Sequence, residues 1–303
     1  MTKAKFREIS ISSNFSLLYY LIMCGILLIL AHLGASDTVI CLLLMANILF
    51  WTIMLLIQYN KARPGGNGGA DTVCDSVRNV DFLGNKFYVY EIAPSRVKMA
   101  LKNDEGENIR YIDSLRKFLE GKGQELDFAI NGGMYVSNGN PCGLYIESGK
   151  LIYPSNYNFS SGGNFCMSFG ETETNGIFAI GGNNGAKIIR TIDYVSADSI
   201  VFATQSGPLL TYNGQINTNF KENSQNQLVR NAVGVKRDGS VVFVISNGAT
   251  NFYNLAKLFT DSLDCPNALY LDGVVSDFYH KNNHVSTQGS SLGVMIYTSS
   301  QSK

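Results

Sequence analysis

Two long apolar runs near the start of the chain stand apart from the pattern that follows. Residues 15–33 and residues 39–57 contain no Lys, Arg, Asp or Glu. Each run has about 19 residues, close to the ~20 that a helix needs to cross a ~30 Å hydrocarbon core. Helices of soluble proteins keep a polar stripe, which both runs lack, and a signal peptide has a shorter apolar core. The pattern therefore predicts two transmembrane helices joined by a short turn.

Basic residues flank the outer ends of the two predicted spans. They are Lys3, Lys5 and Arg7 before the first span and Lys61 and Arg63 after the second. By the positive-inside rule, this bias places both termini on the cytoplasmic side and the connecting turn, residues 34–38, outside. The sequence therefore predicts a two-pass membrane protein, in which the helices could also pair to form a homo-oligomer.

The rest of the chain is organised as a linker and one domain. Residues 1–14 precede the spans, and residues 58–70 contain the flexible sequence PGGNGG. Residues 71–303 are polar and rich in Gly, Asn and Ser, a composition typical of a domain with many turns. The formal net charge is zero and no Lys/Arg-rich run is present, which argues against nucleic acid as a partner.

The cysteines of this domain match no zinc-binding spacing. Because the chain has few His residues, a structural zinc site is not expected. These cysteines could form two disulfides in an oxidising compartment, or remain buried and reduced. They are Cys74, Cys142, Cys166 and Cys265.

Short strand patterns and strong turn signals alternate along residues 71–303. The pattern predicts strands at residues 86–92 and 293–297, and hairpins whose turns lie at residues 147–150, 213–214 and 237–239. Helical periodicity predicts helices at residues 109–120 and 252–263, the second capped by Thr250 or Asn251. Many strands with few, non-alternating helices indicate an α+β fold, a β-rich mixed sheet with a few helices.

Polar residues follow apolar strand patterns at several points, next to glycines. Asn131 and Gly132 end one such strand at a double glycine, where the backbone can approach a ligand closely, although a plain structural turn has the same pattern. Gln205 and Ser206 lie between two apolar runs. A buried Gln needs several hydrogen bonds, so Gln205 either joins an internal polar network or faces a ligand.

Two charged residues extend this set. Arg230 opens a hairpin strand; a surface position is usual for Arg, but a guanidinium near a central strand also suits an oxyanion or phosphate. Asp272 ends the apolar strand pattern of residues 268–271 and is followed by Gly273, which favours a carboxylate facing a cleft. Asn247, at the end of another strand pattern, could lie beside it.

In order along the chain, these segments resemble the phosphodiester glycosidase family, and its bacterial branch in particular. The resemblance covers about residues 86–297. The motifs that carry it are INGGMY (Ile130–Tyr135), GLYIESGKL (Gly143–Leu151), GNF (Gly163–Phe165), QSGPLL (Gln205–Leu210), RNAVGV (Arg230–Val235) and CPNALYLDGVVSDFY (Cys265–Tyr279).

The resemblance implies hydrolysis of the bond between a sugar's anomeric carbon and a phosphodiester, and a glycan or small-molecule substrate. Asp272 would act as base or nucleophile or stabilise the oxocarbenium-like transition state, and Arg230 would stabilise the departing phosphate. Asn131 is the third predicted catalytic residue, and it would hold sugar hydroxyls or phosphate oxygens together with Gln205 and Asn247. The other predicted substrate-binding residues are Ser206, Gly132, Gly273 and Ser276.

Three alternatives remain open at this point. Asp272 and Asp277 could hold a divalent cation through oxygen ligands, although nothing in the sequence demands one. His280 and His284 are expected in a solvated loop, with a ligand or general-acid role as the alternative. The protein could also be a membrane-anchored sensor or effector whose pocket binds a phosphorylated sugar or nucleotide without turnover.

Overall fold

The structure, a computed structural model, describes one residue of the N-terminal region and most of the chain from Ser76 onwards. The chain divides into two units, Met1–Gly66 and Asn67–Lys303, and every described residue except Met45 belongs to the second. The described residues are Met45, 76–157, 175–183, 185–197, 199–272, 275–281, 283–286 and 291–302.

The two spans predicted at residues 15–33 and 39–57, and the linker at residues 58–70, lie outside the described residues. The exception is Met45, which is helical and 68% exposed. Among the described residues, no helix is both long and apolar enough to cross a bilayer.

Strands dominate the described part of the second unit, where two α-helices accompany them. The helices are α1 (Ile112–Glu120) and α2 (Phe252–Lys257), which continues as a π-helical turn (Leu258–Ser262). The strands are β1 (Val77–Phe82), β2 (Asn85–Ile92), β3 (Lys98–Ala100), β4 (Gln124–Asn131), β5 (Tyr145–Glu147), β6 (Lys150–Tyr153), β7 (Gly176–Gly181), β8 (Ala186–Arg190), β9 (Ile200–Ser206), β10 (Leu209–Tyr212), β11 (Gln215–Ile216), β12 (Asn231–Val235), β13 (Val241–Ser246), β14 (Asn267–Tyr270), β15 (Asp277–His280), β16 (Asn283–Ser286) and β17 (Met295–Gln301).

The described strands form three sheets. Sheet I has seven strands in the order β1-β2-β13-β12-β14-β10-β11, sheet II has five in the order β16-β15-β4-β17-β3, and sheet III has five in the order β6-β5-β9-β7-β8. Neighbouring strands pair antiparallel, as β12 does with both β13 and β14. The predicted α+β class, β-rich with few helices, is confirmed.

Side chains from all three sheets meet in one central core. Tyr90 of sheet I stacks on Phe128 of sheet II with ring centroids 4.2 Å apart, and Phe243 of sheet I meets Phe178 of sheet III edge to face at 6.0 Å. All four rings are fully buried. Burial of one such side chain stabilises the fold by about 2–3 kcal/mol, so this junction fixes how the sheets pack.

The helices cover the outer faces of two sheets. Because successive side chains of a strand point to opposite faces, Val233 of β12 enters the central core while Ala232 packs beneath α2. Helix α1 buries Leu115 and Leu119 against sheet II. The Asn251 side chain caps α2 by accepting a hydrogen bond from the Asn254 N–H at 2.8 Å, which confirms one of the two predicted caps.

The predicted hairpins are present with the expected turns. Asn213 and Gly214 join β10 to β11 with φ of 51° and 79°, and Ser148 and Gly149 join β5 to β6 with φ of 51° and 78°. Two consecutive residues with positive φ define the type I′ turn, which matches the twist of the strands that it connects.

Two predicted elements have different bounds in the structure. Helix α1 begins at Ile112 and not at residue 109, because Arg110 adopts a left-handed conformation with φ of 65° and Tyr111 is extended. The closing strand, predicted at residues 293–297, is β17 and runs from Met295 to Gln301, where β4 supplies pairing partners along its length.

The prediction that His280 and His284 lie in a solvated loop is wrong. His280 ends β15 and His284 lies in β16, and the two strands pair as a hairpin. The His280 side chain is only 9% exposed, and its ring lies 5.4 Å from the ring of Tyr90. Sheet pairing therefore overrides the polar composition of this segment.

Candidate active site

Asn131 is the last residue of β4 and lies at the junction of the predicted motifs. It is 2% exposed. Its Nδ2 donates a hydrogen bond to the backbone oxygen of Asp272 at 2.7 Å, and its Oδ1 accepts one from the backbone N–H of Asp277 at 3.1 Å. The side chain thus holds the main chain on both sides of the segment that follows β14.

A second amide completes this arrangement. Asn231, the first residue of β12, is fully buried, and its Nδ2 donates to Asn131 Oδ1 and, at 3.3 Å, to the backbone oxygen of Asp272. Its Oδ1 is buried without a hydrogen-bond partner among the described residues. Asn231 was not predicted as a site residue, although it lies in the RNAVGV motif directly after Arg230.

Asp272 follows β14 at the point where the two amides hold its main chain. Its N–H donates to the backbone oxygen of Gly132 at 3.3 Å. Burial raises the pKa of Tyr135, and the negative charge of Asp272 raises this pKa further. The phenol of Tyr135 therefore lies near the carboxylate and remains protonated at neutral pH.

The double glycine after β4 permits a close approach between two chain segments. The Gly133 N–H donates to Thr204 Oγ1 at 3.1 Å, and a Cβ on Gly133 would lie 2.0 Å from the backbone oxygen of Gln205. Real Cβ atoms do not approach that closely, so only glycine fits. The end of β4 and the end of β9 therefore meet here, beside Asp272.

Of the two interpretations left open for Gln205, the structure favours the internal network. Its Oε1 accepts from the backbone N–H groups of Leu144 and Asn156, both at 2.9 Å. Its Nε2 donates to the Asn156 oxygen at 2.7 Å. Ser206 is 2% exposed, and its hydroxyl has no partner among the described residues.

The Gln205 network borders an open cleft of about 400 Å³, formed by residues 141–143 and 153–157. The Cys142 N–H donates to the Met134 oxygen at 3.0 Å, which connects the cleft to the double-glycine segment. Cys142 is disulfide-bonded, whereas Cys265 is a buried free thiol. The other two cysteines of the domain lie outside the described residues.

Arg230 directs its guanidinium away from the amide pair. Its Nε donates to the Thr250 oxygen at 2.9 Å, its Nη1 to Tyr270 Oη at 3.3 Å and its Nη2 to Asn226 at 3.0 Å. The guanidinium carbon lies 3.6 Å from the ring centroid of Phe252, and the residue is 1% exposed. Burial lowers the pKa of Arg230. Neighbouring residues of a strand face opposite ways, so Arg230 packs under α2 while Asn231 faces Asp272.

Of the remaining predicted site residues, one lies at the site, one lies on the surface and one is outside the described residues. Ser276 is fully buried next to Asp277, within the segment that Asn131 holds. Asn247 is exposed at the end of β13, where its Nδ2 donates to Tyr88 Oη at 3.2 Å. Gly273 lies outside the described residues.

The structure thus brings Asn131, Gly132, Asp272 and Ser276 together, with Gln205 and Ser206 adjacent through Gly133. A metal would need several clustered ligands, and the described residues contain no group of three His, Cys, Asp or Glu that could hold an ion. A cation held by Asp272 and Asp277 stays a prediction.

The chain is similar to known proteins in sequence and in fold. The Escherichia coli (strain K12) uncharacterised protein YigE is 35% identical over 210 residues, 68% of this chain and 79% of that protein. The zebrafish N-acetylglucosamine-1-phosphodiester α-N-acetylglucosaminidase catalytic domain, auto-inhibited by its pro-peptide, superposes with a TM-score of 0.53 at 16% identity, covering 74% of this chain and 81% of that one. At that identity the likeness shows the fold alone.

The phosphodiester glycosidase family model matches residues 124–297, which span β4 to β17 and include the amide pair and Asp272. Since this match covers more than half of the 303 residues, the chain belongs to the phosphodiester glycosidase family.

Proposed function

We propose that the protein hydrolyses a sugar-1-phosphodiester to the free sugar and a phosphomonoester, with an N-acetylglucosamine-1-phosphodiester as the substrate class. The observation that carries the proposal is the position of Asp272, whose main chain is held by two buried amides next to Tyr135. Family membership supports the reaction class. The name of the zebrafish structural neighbour supplies the sugar to test first.

In the proposed reaction the Asp272 carboxylate acts at the anomeric carbon. A glycosidic transition state resembles an oxocarbenium ion, which a carboxylate stabilises or attacks directly. A phosphodiester leaves readily without a proton, so a second carboxylic acid matters less than in ordinary glycosidases. The bond between the anomeric carbon and oxygen breaks, water supplies the new hydroxyl of the sugar, and the remaining proton of that water passes to the Asp272 carboxylate or to solvent.

Asn131 and Asn231 act in this proposal as positioning residues. The Asn131 amide makes three hydrogen bonds inside the protein, which leaves it little capacity for a sugar hydroxyl. Rigid placement matters because an error of about 1 Å in a reacting group can slow catalysis about 100-fold. The buried Oδ1 of Asn231 has no hydrogen-bond partner among the described residues, so it remains available to a ligand.

Arg230 supports the same site from the other face of sheet I. Its hydrogen bond to Tyr270 Oη anchors β14 two residues before Asp272. The departing phosphate still requires a nearby positive charge, and a guanidinium that is 1% exposed and stacked on Phe252 is poorly placed to supply it.

The test is sugar release from methyl N-acetyl-α-D-glucosaminyl phosphate by the full-length protein in detergent micelles. We expect the wild type to release sugar and Asp272→Asn to lose about 10²–10⁴-fold in rate. The control Asp264→Asn makes the same change at an exposed residue paired with Arg237 and should match the wild type. Sugar release by Asp272→Asn at the wild-type rate, or none by the wild type across several sugars, would overturn the proposal.

We also propose that the predicted two-span anchor holds the enzyme at a membrane, so that it acts close to the membrane surface. The flanking charges favour a cytoplasmic domain, whereas the Cys142 disulfide favours an oxidising compartment. Protease digestion of intact cells distinguishes the two placements: loss of residues 76–302 from outside would contradict the cytoplasmic one.

A further inference from the structure

Arg110 precedes the family match and has an unusual backbone conformation. Its φ is 65°, in the left-handed region that residues with a Cβ rarely adopt. Hydrogen bonds hold the main chain there, since the Ile109 N–H donates to the Leu101 oxygen at 3.0 Å and the Arg110 oxygen accepts from the Leu292 N–H at 2.6 Å. Strained non-glycine residues of this kind cluster at functional sites.

The Arg110 side chain is half-buried and its described partners are neutral. Its Nη2 donates to Ser291 Oγ at 2.8 Å, and longer contacts of 3.4 Å reach the backbone oxygens of Ser137 and Asn138. A guanidinium has five N–H groups. Among the described residues, its Nε–H and one Nη1–H have no acceptor, and no carboxylate forms an ion pair with it.

Residues 291–294 connect Arg110 to the candidate site. The Ser291 hydroxyl oxygen accepts a hydrogen bond from Arg110, and the Ser291 backbone oxygen accepts one from the Tyr135 hydroxyl. Three residues later, the Val294 oxygen accepts from the Gly132 N–H at 2.7 Å, and the Gly132 oxygen accepts from Asp272. Gly293 lies directly against the Tyr135 side chain.

Asp272 and Arg110 both influence the pKa of Tyr135. Burial raises its pKa, the Asp272 carboxylate raises it further, and the Arg110 guanidinium lowers it. Both charged groups therefore lie near this phenol, since Arg110 and Tyr135 share Ser291 as a partner and the Asp272 N–H donates to Gly132, three residues before Tyr135. A sugar-1-phosphodiester presents an anomeric carbon that becomes positive next to a phosphate that becomes more negative, which is the charge pattern that such a pair complements.

We propose that Arg110, rather than Arg230, binds the phosphate oxygens of the substrate while Asp272 acts at the anomeric carbon. This assignment rests on the proposed function and names the phosphate-binding residue of the same site. It accounts for the strained backbone at Arg110, whose conformation keeps the guanidinium beside Ser291 with donors available. A planar guanidinium can bind two phosphate oxygens at once.

The test measures binding of inorganic phosphate to the full-length protein by calorimetry, without reference to turnover. We expect Arg110→Gln to weaken phosphate binding about tenfold or more. Arg110→Lys should recover part of this loss because it retains the charge but not the fork. The control Arg116→Gln, an exposed residue of α1 paired with Asp113, should bind like the wild type, and the affinity for free N-acetylglucosamine should stay unchanged in all variants.

A folding defect is separated from a binding defect by Arg110→Asn, because Asn tolerates the left-handed conformation. This variant should fold like the wild type and lose phosphate affinity as Arg110→Gln does. Equal phosphate affinity in the wild type and Arg110→Gln, or no phosphate binding by the wild type, would overturn the assignment. Absence of sugar release together with phosphate binding that depends on Arg110 would overturn the proposed hydrolysis and leave the phosphate site standing.

Discussion

Replacement of Asn131 by alanine tests the amide pair that holds Asp272. The substitution removes the hydrogen bond from Nδ2 to the Asp272 oxygen and both bonds that Oδ1 accepts, from Asn231 and Asp277. The site is 2% exposed, so water does not replace these partners readily. The change removes the Oδ1 acceptor from the Asp277 N–H and leaves the Asp272 oxygen with the hydrogen bond from Asn231.

The expected cost follows from these three bonds. A buried hydrogen bond contributes about 1 kcal/mol net, and a buried group left unpaired costs about 1–3 kcal/mol. Asn231 keeps its second bond to the Asp272 oxygen, which limits the loss. We therefore expect Asn131→Ala to lose about 3 kcal/mol of unfolding free energy, a shift in Tm of about 10 °C for a domain of this size.

Catalysis should suffer independently of stability. Because Asp272 loses one of its two amide anchors, kcat should fall about 100-fold even at temperatures where the variant is fully folded. Urea denaturation measures the first effect as a lower midpoint with an unchanged slope, and sugar release measures the second. The control Asn79→Ala changes an exposed residue of β1. A loss below about 1 kcal/mol, or an unchanged kcat, would refute the role given to Asn131.

Three further substitutions test other parts of the structure. Gly133→Ala should cost about 3 kcal/mol or prevent folding, because its Cβ would lie 2.0 Å from the Gln205 oxygen; Gly121→Ala, with ordinary contacts there, is the thermal-melt control. Arg230→Met should cost about 3 kcal/mol by urea denaturation, since it removes buried charge-assisted hydrogen bonds, and a cost near zero would contradict its anchoring role. Burial raises the pKa of Glu147 in the folded protein above its value in the unfolded chain. The stability that protonated Glu147 contributes is therefore fully present below the unfolded-state pKa and is lost as the pH rises through the folded-state pKa. The Tm of Glu147→Gln should therefore rise relative to the Tm of the wild type as the pH increases above about 4. A difference in Tm that does not change with pH would contradict this.

Much of the local structure could be predicted because it depends on neighbouring residues. The Asn213-Gly214 turn needs positive φ at both positions, and these residue types adopt it readily. The Asn131 and Asp272 positions were predictable as well, since each follows an apolar strand and precedes a glycine. Such signals require no knowledge of which strands pair.

The parts that sequence reasoning missed depend on long-range packing. The direction of Arg230 follows from the face of β12 that α2 covers, and only the sheet order reveals this. His280 lies in a polar segment, but pairing between β15 and β4 buries it. Arg110 lies within a segment of helical periodicity, yet its backbone is left-handed. Its backbone oxygen accepts a hydrogen bond from Leu292, which lies 182 residues later in the sequence. The partners of Gln205 are likewise distant in sequence.

The central claim is that the bond from the anomeric carbon to oxygen breaks, and hydrolysis in ¹⁸O-labelled water tests it most directly. If the protein is a glycosidase that uses Asp272 at the anomeric carbon, water attacks carbon, and mass spectrometry of the phosphomonoester will show no ¹⁸O. Label in the phosphomonoester would show that water attacks phosphorus, and would contradict the account.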